Sequence, residues 1–358
     1  MTKPHLTIVI PSYKEAANMP LLLEQIHSAL GDYPYDVLVI DDNSPDGTAE
    51  TVRSLAEKYP VSVTVRKDKR GLASAVVDGF KLAGGDIVAV MDADLQHPPA
   101  VLPRLVRAIE AGADLAVASR YVPGGSVGNW SATRRVISRG AVILSHLLLP
   151  STRGIKDPMS GYFMLRKDVI SGIELSPVGY KILLEVICLG CPHQAVEVPF
   201  IFENRRAGVT KLSMVTQTDY LRHLLSLMRR TGEFRRIVKF VTVGGTGTLV
   251  NLGLLAVLKE WAGLHYLVAG AVAFEVSVVW NFLLNDRFTF RDRKRPDGTL
   301  PGRLLRFNVT SLGGFIIYIA ILALLTQVFG LYYIVSAAIG ILIGFGWNFM
   351  VNSAWTWR

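Results

Sequence analysis

Short apolar runs alternate with amphipathic stretches through the first half of the chain. Leu6-Thr7-Ile8-Val9-Ile10, Val37-Leu38-Val39-Ile40 and Ile87-Val88-Ala89-Val90 are compact apolar runs, and Val61-Ser62-Val63-Thr64-Val65 alternates residue by residue. Runs of about 4–8 such residues predict buried strands. Between them, Met19–Leu30, Thr48–Tyr59 and Gly71–Leu82 place apolar residues at helical spacing. Strand alternating with helix in short units predicts an α/β domain with a mainly parallel sheet and helices on both faces.

The pattern then changes. Arg134–Leu149 and Ser213–Arg230 mix apolar residues with arginines. Two readings stay open for both: helices lying in a lipid interface, or amphipathic helices packed on the core. Four long apolar segments follow, at about 237–258, 264–285, 307–328 and 332–352. Each approaches the ~20 residues needed to cross a bilayer. The predicted organisation is a soluble domain at 1–212, an interfacial linker helix at 213–236 and an all-α, four-helix transmembrane domain at 237–358.

The membrane half repeats itself. Trp280-Asn281-Phe282-x-x-Asn285-x-x-x-Thr289-Phe290 recurs as Trp347-Asn348-Phe349-x-x-Asn352-x-x-x-Thr356-Trp357, an offset of 67 residues (347 minus 280). The same offset pairs Arg236 with Arg303, Phe240 with Phe307 and Gly247 with Gly314, as expected of two homologous hairpins. Gly244-Gly245-x-Gly247 lies inside an apolar segment, where close helix packing is the expectation. Arg229, Arg230, Arg235 and Arg236 precede the first hairpin, and Arg287, Arg291, Arg293, Lys294 and Arg295 separate the two. The positive-inside rule then places the soluble domain and both termini in the cytoplasm. The N-terminus, Met1-Thr2-Lys3-Pro4-His5, has no apolar signal region and agrees with that placement. The repeated asparagines, Asn281, Asn285, Asn348 and Asn352, either cap and join the helices or help to place a lipid phosphate.

Charge narrows the partners. The formal net charge is +9. Beside long apolar segments, that balance points to a membrane surface or an anionic substrate and away from nucleic acid. The two cysteines, Cys188 and Cys191, form half a zinc pattern with no second pair, so two ordinary buried thiols are expected.

Candidate chemistry sits at the strand ends. Asp92-Ala93-Asp94-Leu95-Gln96 follows the run ending at Val90, Asp41-Asp42-Asn43-Ser44 follows Ile40, and Tyr13 and Glu15 follow Ile10. Open α/β sheets bind ligands at the C-terminal ends of their strands. Asp92 and Asp94, two apart with a small residue between, can share one hard cation of the Mg²⁺ or Mn²⁺ type, with Gln96 as a neutral oxygen. Three acidic clusters in one crevice repel each other without a cation or a hydroxyl-rich ligand, and a nucleotide sugar with a divalent ion would satisfy them.

Pro11-x-Tyr13-x-Glu15, Asp41-Asp42-x-Ser44, Gly71-x-Ala73 and Asp92-x-Asp94-x-Gln96 together resemble the inverting glycosyltransferases of family 2, with the Rossmann-like GT-A fold. Ser119-Arg120-Tyr121, Trp130 with Arg134-Arg135, Ser138-Arg139-Gly140, Asp157-Pro158-x-Ser160-Gly161, and Arg205 with Lys211 resemble the dolichyl-phosphate mannose synthases within it. The apolar half resembles the GtrA family of small four-helix membrane proteins. The resemblance implies catalytic roles for Asp92, Asp94 and Arg120. It implies nucleotide-sugar contacts from Pro11, Tyr13, Glu15, Ile40, Asp42, Asp92, Ala93, Asp94, Arg120, Arg205 and Lys211. It implies a metal, Mg²⁺ or Mn²⁺, on Asp94 and Gln96, and an acceptor phosphate on Arg120, Arg134, Arg135 and Ser138.

The implied reaction moves mannose from GDP-mannose to a polyprenyl or dolichyl phosphate at the cytoplasmic membrane face. A UDP-glucose donor is the alternative. A processive polysaccharide synthase would carry Gln-x-x-Arg-Trp, and no tryptophan here follows an arginine. A non-catalytic lipid-sugar flippase is the competing class, and the acidic motifs speak against it.

Overall fold

The computed structural model describes residues 3–68, 71–203, 214–293 and 299–357. It divides into two compact units, Met1–Thr231 and Gly232–Arg358.

In the first unit the predicted alternation of strand and helix is realised. The elements are β1 (Leu6–Ser12), α1 (Met19–Leu30), β2 (Tyr35–Asp41), α2 (Thr48–Leu55), β3 (Val61–Val65), α3 (Leu72–Leu82) and β4 (Ile87–Val90). Then come α4 (Leu102–Glu110), β5 (Leu115–Ser119), α5 (Ala132–Leu148), β6 (Phe163–Arg166), α6 (Ile182–Gly190), β7 (Ala195–Pro199) and α7 (Met214–Arg230). The seven strands lie in the order β3-β2-β1-β4-β6-β5-β7. All pairings are parallel except those of β6, which runs antiparallel between β4 and β5. The chain leaves β1 toward β2 and β3 on one side and later returns to β4 on the other. A switch point of this kind opens a crevice at the strand ends.

Both sheet faces are covered. Ile8, Ile10, Val37, Val39 and Ala89 face one buried cluster, and Val9, Leu38, Ile40, Val88 and Val90 face the other. Period-two alternation along buried strands gives this division. At Gly79 of α3 an added Cβ would overlap the Val9 side chain, so glycine there permits helix and sheet to approach closely.

The antiparallel strand matters for function. Because β6 runs against its neighbours, the loop that precedes it reaches the same rim as the C-terminal ends of β4 and β5. Asp157, Ser160 and Gly161 thereby come beside Asp92 and Arg120.

Helix α5 buries only Val142 and Ser145, and it exposes Val136, Ile137 and Ile143. Helix α7 packs part of its surface on the core, as the second reading expected. Leu224, Leu227 and Met228 are buried, while Leu221 and Leu225 are exposed. The Tyr220 hydroxyl of α7 donates to the Ala141 carbonyl of α5 at 2.6 Å. The expected linker at 213–236 is not one helix: α7 stops at Arg230, and Gly232 turns the backbone at φ 79° before the next helix begins. Only one of the two thiols is buried. Cys188 is buried, but Cys191 is exposed, in a left-handed turn at the end of α6.

The second unit consists of α8 (Glu233–Glu260), α9 (Tyr266–Leu284), α10 (Leu300–Ala323) and α11 (Tyr333–Val351). With their terminal turns these make four spans of 28, 24, 29 and 24 residues, each long and apolar enough to cross a membrane. The repeat is visible in the backbone. α9 and α11 both end in π-helical turns, Asn285–Thr289 and Asn352–Thr356. Phe290 and Trp357, equivalent in the two repeats, stack on each other at 4.2 Å between ring centres. An added Cβ at Gly247 would overlap the Asn281 amide, and one at Gly314 would lie 2.5 Å from the Asn348 amide oxygen. Close packing therefore accounts for Gly247, and its neighbours Gly244 and Gly245 meet nothing.

Candidate active site

A cleft of about 670 Å³ opens at the strand ends of the first unit. Its floor is the loops after β1, β2 and β4. Each of these loops holds one non-glycine residue in the left-handed region: Lys14 at φ 61°, Asn43 at 54° and Leu95 at 62°. Such a residue costs about 1–3 kcal/mol and collects at functional sites.

The first two loops are stitched together. The backbone N–H of Lys14 donates to Ser44 Oγ at 2.9 Å, and that of Glu15 to Thr48 Oγ1 at 3.1 Å. Asp41 accepts from the Ser44 N–H at 2.9 Å and from its hydroxyl. Asp42 accepts from Arg66 Nε at 2.7 Å and from the Gly71 N–H at 2.8 Å. Arg66 is buried and bridges onward to Asp78 at 3.1 Å. The mutual repulsion expected of three acidic clusters is therefore largely met from within: Arg66 neutralises Asp42, and Asp41 is absorbed by its own turn.

At the third loop, Asp94 is buried and accepts from the Gln96 N–H at 3.1 Å. The Gln96 side-chain amide donates to the Glu203 carbonyl at 3.2 Å, while the Glu203 N–H returns to the Gln96 carbonyl at 3.3 Å. With its nitrogen so engaged, the amide oxygen is the end left for a ligand. His97 Nδ1 accepts from the Asp92 N–H at 3.0 Å, and its ring stacks on Tyr162 at 5.1 Å. Burial pushes the His97 pKa down to about 4, so the ring is neutral and acts as a prop for Asp92. Gly161 lets that prop stand close: a Cβ there would lie 3.3 Å from the imidazole and 3.6 Å from the Asp92 carboxylate.

Basic residues line the same cleft. Arg120 is buried, and its Nε and Nη2 reach the two oxygens of Asp157 at 2.8 and 2.7 Å. Asp157 also accepts from the Arg120 N–H at 3.0 Å and is itself fully buried. This is a bidentate pair of fixed geometry. Arg134 lies over the Trp130 ring at 4.0 Å. Lys181, just before α6, donates to the Met159 carbonyl at 2.9 Å. Burial, with Arg120 adding to it, brings the Lys181 pKa down to about 8. Ser138 shares a hydrogen bond of 2.9 Å with the Tyr121 hydroxyl.

Among the predicted residues, the cleft gathers Pro11, Tyr13, Glu15, Asp42, Asp92, Ala93, Asp94, Gln96, Arg120, Arg134 and Ser138. Ile40 is not among them: its side chain is buried in the core cluster with Val9 of β1 and Val90 of β4, so only its backbone is near the rim. Arg135 is also excluded; it is exposed and donates to the Gly128 carbonyl at 3.3 Å. Arg205 and Lys211 lie outside the described residues. Sequence reasoning missed Arg66, His97 and Lys181. Ser12 Oγ and Trp130 Nε1 also line the cleft, buried and without a hydrogen-bond partner among the described residues. Of the three missed residues, only His97 had a signal, standing one residue beyond Gln96.

Residues 7–173 match the model for glycosyl transferase family 2, and residues 239–357 match the GtrA/DPMS transmembrane domain. A dolichol-phosphate mannosyltransferase of Pyrococcus furiosus is 44% identical over 355 residues, 98% of this chain and 99% of that protein. A polyprenol monophosphomannose synthase of Mycolicibacterium smegmatis is 40% identical over 216 residues, 58% of this chain and 80% of its own. Among solved structures, glucosyl-3-phosphoglycerate synthase from Mycobacterium tuberculosis, in complex with Mn²⁺, UDP-glucose and phosphoglyceric acid, superposes with a TM-score of 0.51. At 18% identity, covering 63% of this chain and 80% of that one, it speaks for the fold alone.

Proposed function

Since the chain belongs to the dolichol-phosphate mannosyltransferases of glycosyltransferase family 2, we propose that its cleft transfers mannose from GDP-mannose to a polyprenyl phosphate. It is an integral membrane enzyme, and we place the cleft and both termini on the cytoplasmic side, following the positive residues around the first hairpin.

The observation that carries the reading is the presence of both acidic and basic groups in one cleft. Asp92 and Asp94 line it from the loop after β4, and Arg120, Arg134 and Lys181 line it from other elements. The reaction joins two phosphorylated molecules, and unit charges about 4 Å apart repel by roughly 4 kcal/mol at an effective dielectric of 20. A site for it needs separate holds for each.

The donor set at the end of β4 fits a hard divalent ion. Among the described residues no three His, Cys, Asp or Glu side chains gather to enclose a metal. Asp94 and Gln96, with Asp92 beside them, offer oxygens only and leave coordination positions open. That is how Mg²⁺ and Mn²⁺ bind when substrate phosphates complete the shell. When bound, the ion supplies charge stabilisation for the departing diphosphate.

The remaining work falls to the protein's own groups. Asp157 holds the Arg120 fork so that its remaining nitrogen has one orientation. Trp130 holds Arg134, and Lys181 adds a charge that is mostly present at neutral pH. A phosphate monoester has its second pKa near 6, so the acceptor arrives ionised and no general base is required. Its oxygen attacks the anomeric carbon as the bond to the diphosphate breaks, with inversion. The exposed Val136, Ile137 and Ile143 of α5, and Leu221 and Leu225 of α7, offer an apolar approach for the prenyl tail.

The test uses the purified full chain with radiolabelled GDP-mannose, polyprenyl phosphate and Mg²⁺ or Mn²⁺. The expected product is a chloroform-soluble, mild-acid-labile mannolipid. Asp94→Ala should lower its formation by on the order of 10²-fold or more. Faster transfer from UDP-glucose would overturn the donor assignment. Full turnover of Asp94→Ala in chelator would overturn the scheme.

A further inference from the structure

The second unit contains a basic cavity of about 460 Å³, lined by the start of α8 and the turn after α9. Arg235, Arg236, Lys239 and Arg291 contribute to its walls, together with Thr289 and Asp292. The one carboxylate in that lining is already matched, since Asp292 takes two nitrogens of Arg236 at 3.0 and 2.8 Å. Nearby Glu233 is matched by Arg293. Among the described residues, Arg235 and Arg291 have no carboxylate within ion-pair distance.

The Thr289 hydroxyl is the second observation. The residue is 97% buried and lines this cavity, and its hydroxyl has no hydrogen-bond partner among the described residues. A buried hydroxyl left unpaired is costly and calls for a partner. The chain supplies its own comparison through the 67-residue repeat. Thr356, the equivalent residue, donates to Asn352 Oδ1 at 2.7 Å. The equivalents Lys239 and Arg306 both reach the carbonyl of the matching aromatic residue, each at 3.3 Å. The position of Arg235 is Gly302 in the second repeat. So the first repeat keeps an extra cation and an open hydroxyl where the second has a glycine and a closed one.

We propose that this cavity binds a phosphate group, that of an anionic lipid at the membrane surface. The cations supply charge, and the Thr289 hydroxyl donates to a phosphate oxygen. Apolar side chains exposed beside it, Val238, Val241 and Phe288, offer contact to acyl chains. Basic pockets at the ends of membrane helices hold headgroups in this way. Its lining residues all belong to the second unit.

Native mass spectrometry of the full chain in detergent, with phosphatidylglycerol, phosphatidylcholine and inorganic phosphate as probes, tests the assignment. Phosphatidylglycerol should be retained and phosphatidylcholine should not. Arg235→Gln with Arg291→Gln, both exposed and so tolerant of change, should weaken phosphatidylglycerol binding at least about tenfold. Lys239→Gln should weaken it further, and Arg306→Gln, in the second repeat, should stay within about twofold of wild type. If inorganic phosphate competes fully and its own binding is lost in the same double variant, the phosphate site stands and its ligand is a soluble anion. Equal binding of both lipids, or a double variant that binds like wild type, would overturn the proposal.

Discussion

Asp157→Asn removes one charge from a buried pair while barely changing volume. The structure fixes what that leaves behind. Arg120 is 8% exposed, its fork faces Asp157 at 2.8 and 2.7 Å, and Asp157 is fully buried. An asparagine can accept through one oxygen, but its NH₂ then opposes the guanidinium donors. Removing one partner of such a pair costs about 3–5 kcal/mol, because the other charge stays buried. For a unit of 231 residues, about 2–4 °C per kcal/mol gives a loss on the order of 10 °C. Intrinsic fluorescence can follow it: Trp130 is the single tryptophan of residues 1–231, and its ring lies 5.3 Å from the Arg120 guanidinium carbon. Arg120→Met with Asp157→Leu separates stability from chemistry. Replacing both charges with apolar groups should restore most of the melting temperature, yet mannosyl transfer should stay about 10²-fold down. A melting temperature of Asp157→Asn within about 2 °C of wild type would refute the buried-pair argument. Recovery of transfer by the double variant would refute the role given to Arg120.

Three further outcomes are expected. The Lys181 pKa of about 8 lies below its ordinary 10.5, so its charge fades as pH rises from 7 to 9, and the KM for polyprenyl phosphate should rise up to about tenfold. In Lys181→Met that rise should vanish; its persistence would assign the limb to another group. Unfolding cannot mimic this effect: the unfolded chain binds the extra proton between about 8 and 10.5, so this group makes the fold more stable as pH climbs through that window. His97, lowered to about 4 from 6.5, contributes stability that is present above 6.5 and is lost as pH falls toward 4. Its full contribution is about 3 kcal/mol; the acid limb of a melting-temperature profile should flatten in His97→Phe, and an unchanged limb would refute this. Gly247→Ala should destabilise the second unit by about 1–3 kcal/mol through overlap with Asn281. Adding Asn281→Ala should relieve it, and failure to do so would place the clash elsewhere.

The parts of this protein legible in its sequence are those set by local periodicity. β1, α1 and β3 follow directly from apolar spacing, and the hairpin repeat from an exact offset. The direction of β6 was not legible, because a four-residue strand, Phe163–Arg166, carries no sign of which neighbour it will oppose. Arg66 escaped notice for a related reason: its partner Asp42 is 24 residues away, and only the folded sheet brings them together. Ile40 precedes a rim residue in sequence, but a strand covered on both faces sends its side chain into the core. Arg135 could have been excluded beforehand. Arg134, Ser138 and Ala141 share one face of α5 by their spacing and line the cleft, while Arg135 is turned about 100° away. The Cys191 exposure came from a left-handed turn at a helix end, where cysteine is an unusual occupant.

The first unit treats its own charges by one rule, and the rule bears on catalysis. Asp41 is capped by Ser44, Asp42 by Arg66 and Arg120 by Asp157. Each of these carboxylates and guanidiniums has its geometry fixed before any substrate arrives. Fixed dipoles and charges stabilise a transition state better than mobile ones, since no reorganisation is needed when charge develops. His97 extends the rule without adding charge, because its buried, neutral ring holds the Asp92 backbone and keeps the rim from turning basic there. The cleft therefore holds its acidic and basic groups at fixed positions, and in the proposed scheme each anionic reactant is met by its own set: the diphosphate by a divalent ion held at Asp92 and Asp94, the acceptor phosphate by Arg120, Arg134 and Lys181. Were the same cations to serve both reactants, the approach of the second would be opposed by the first.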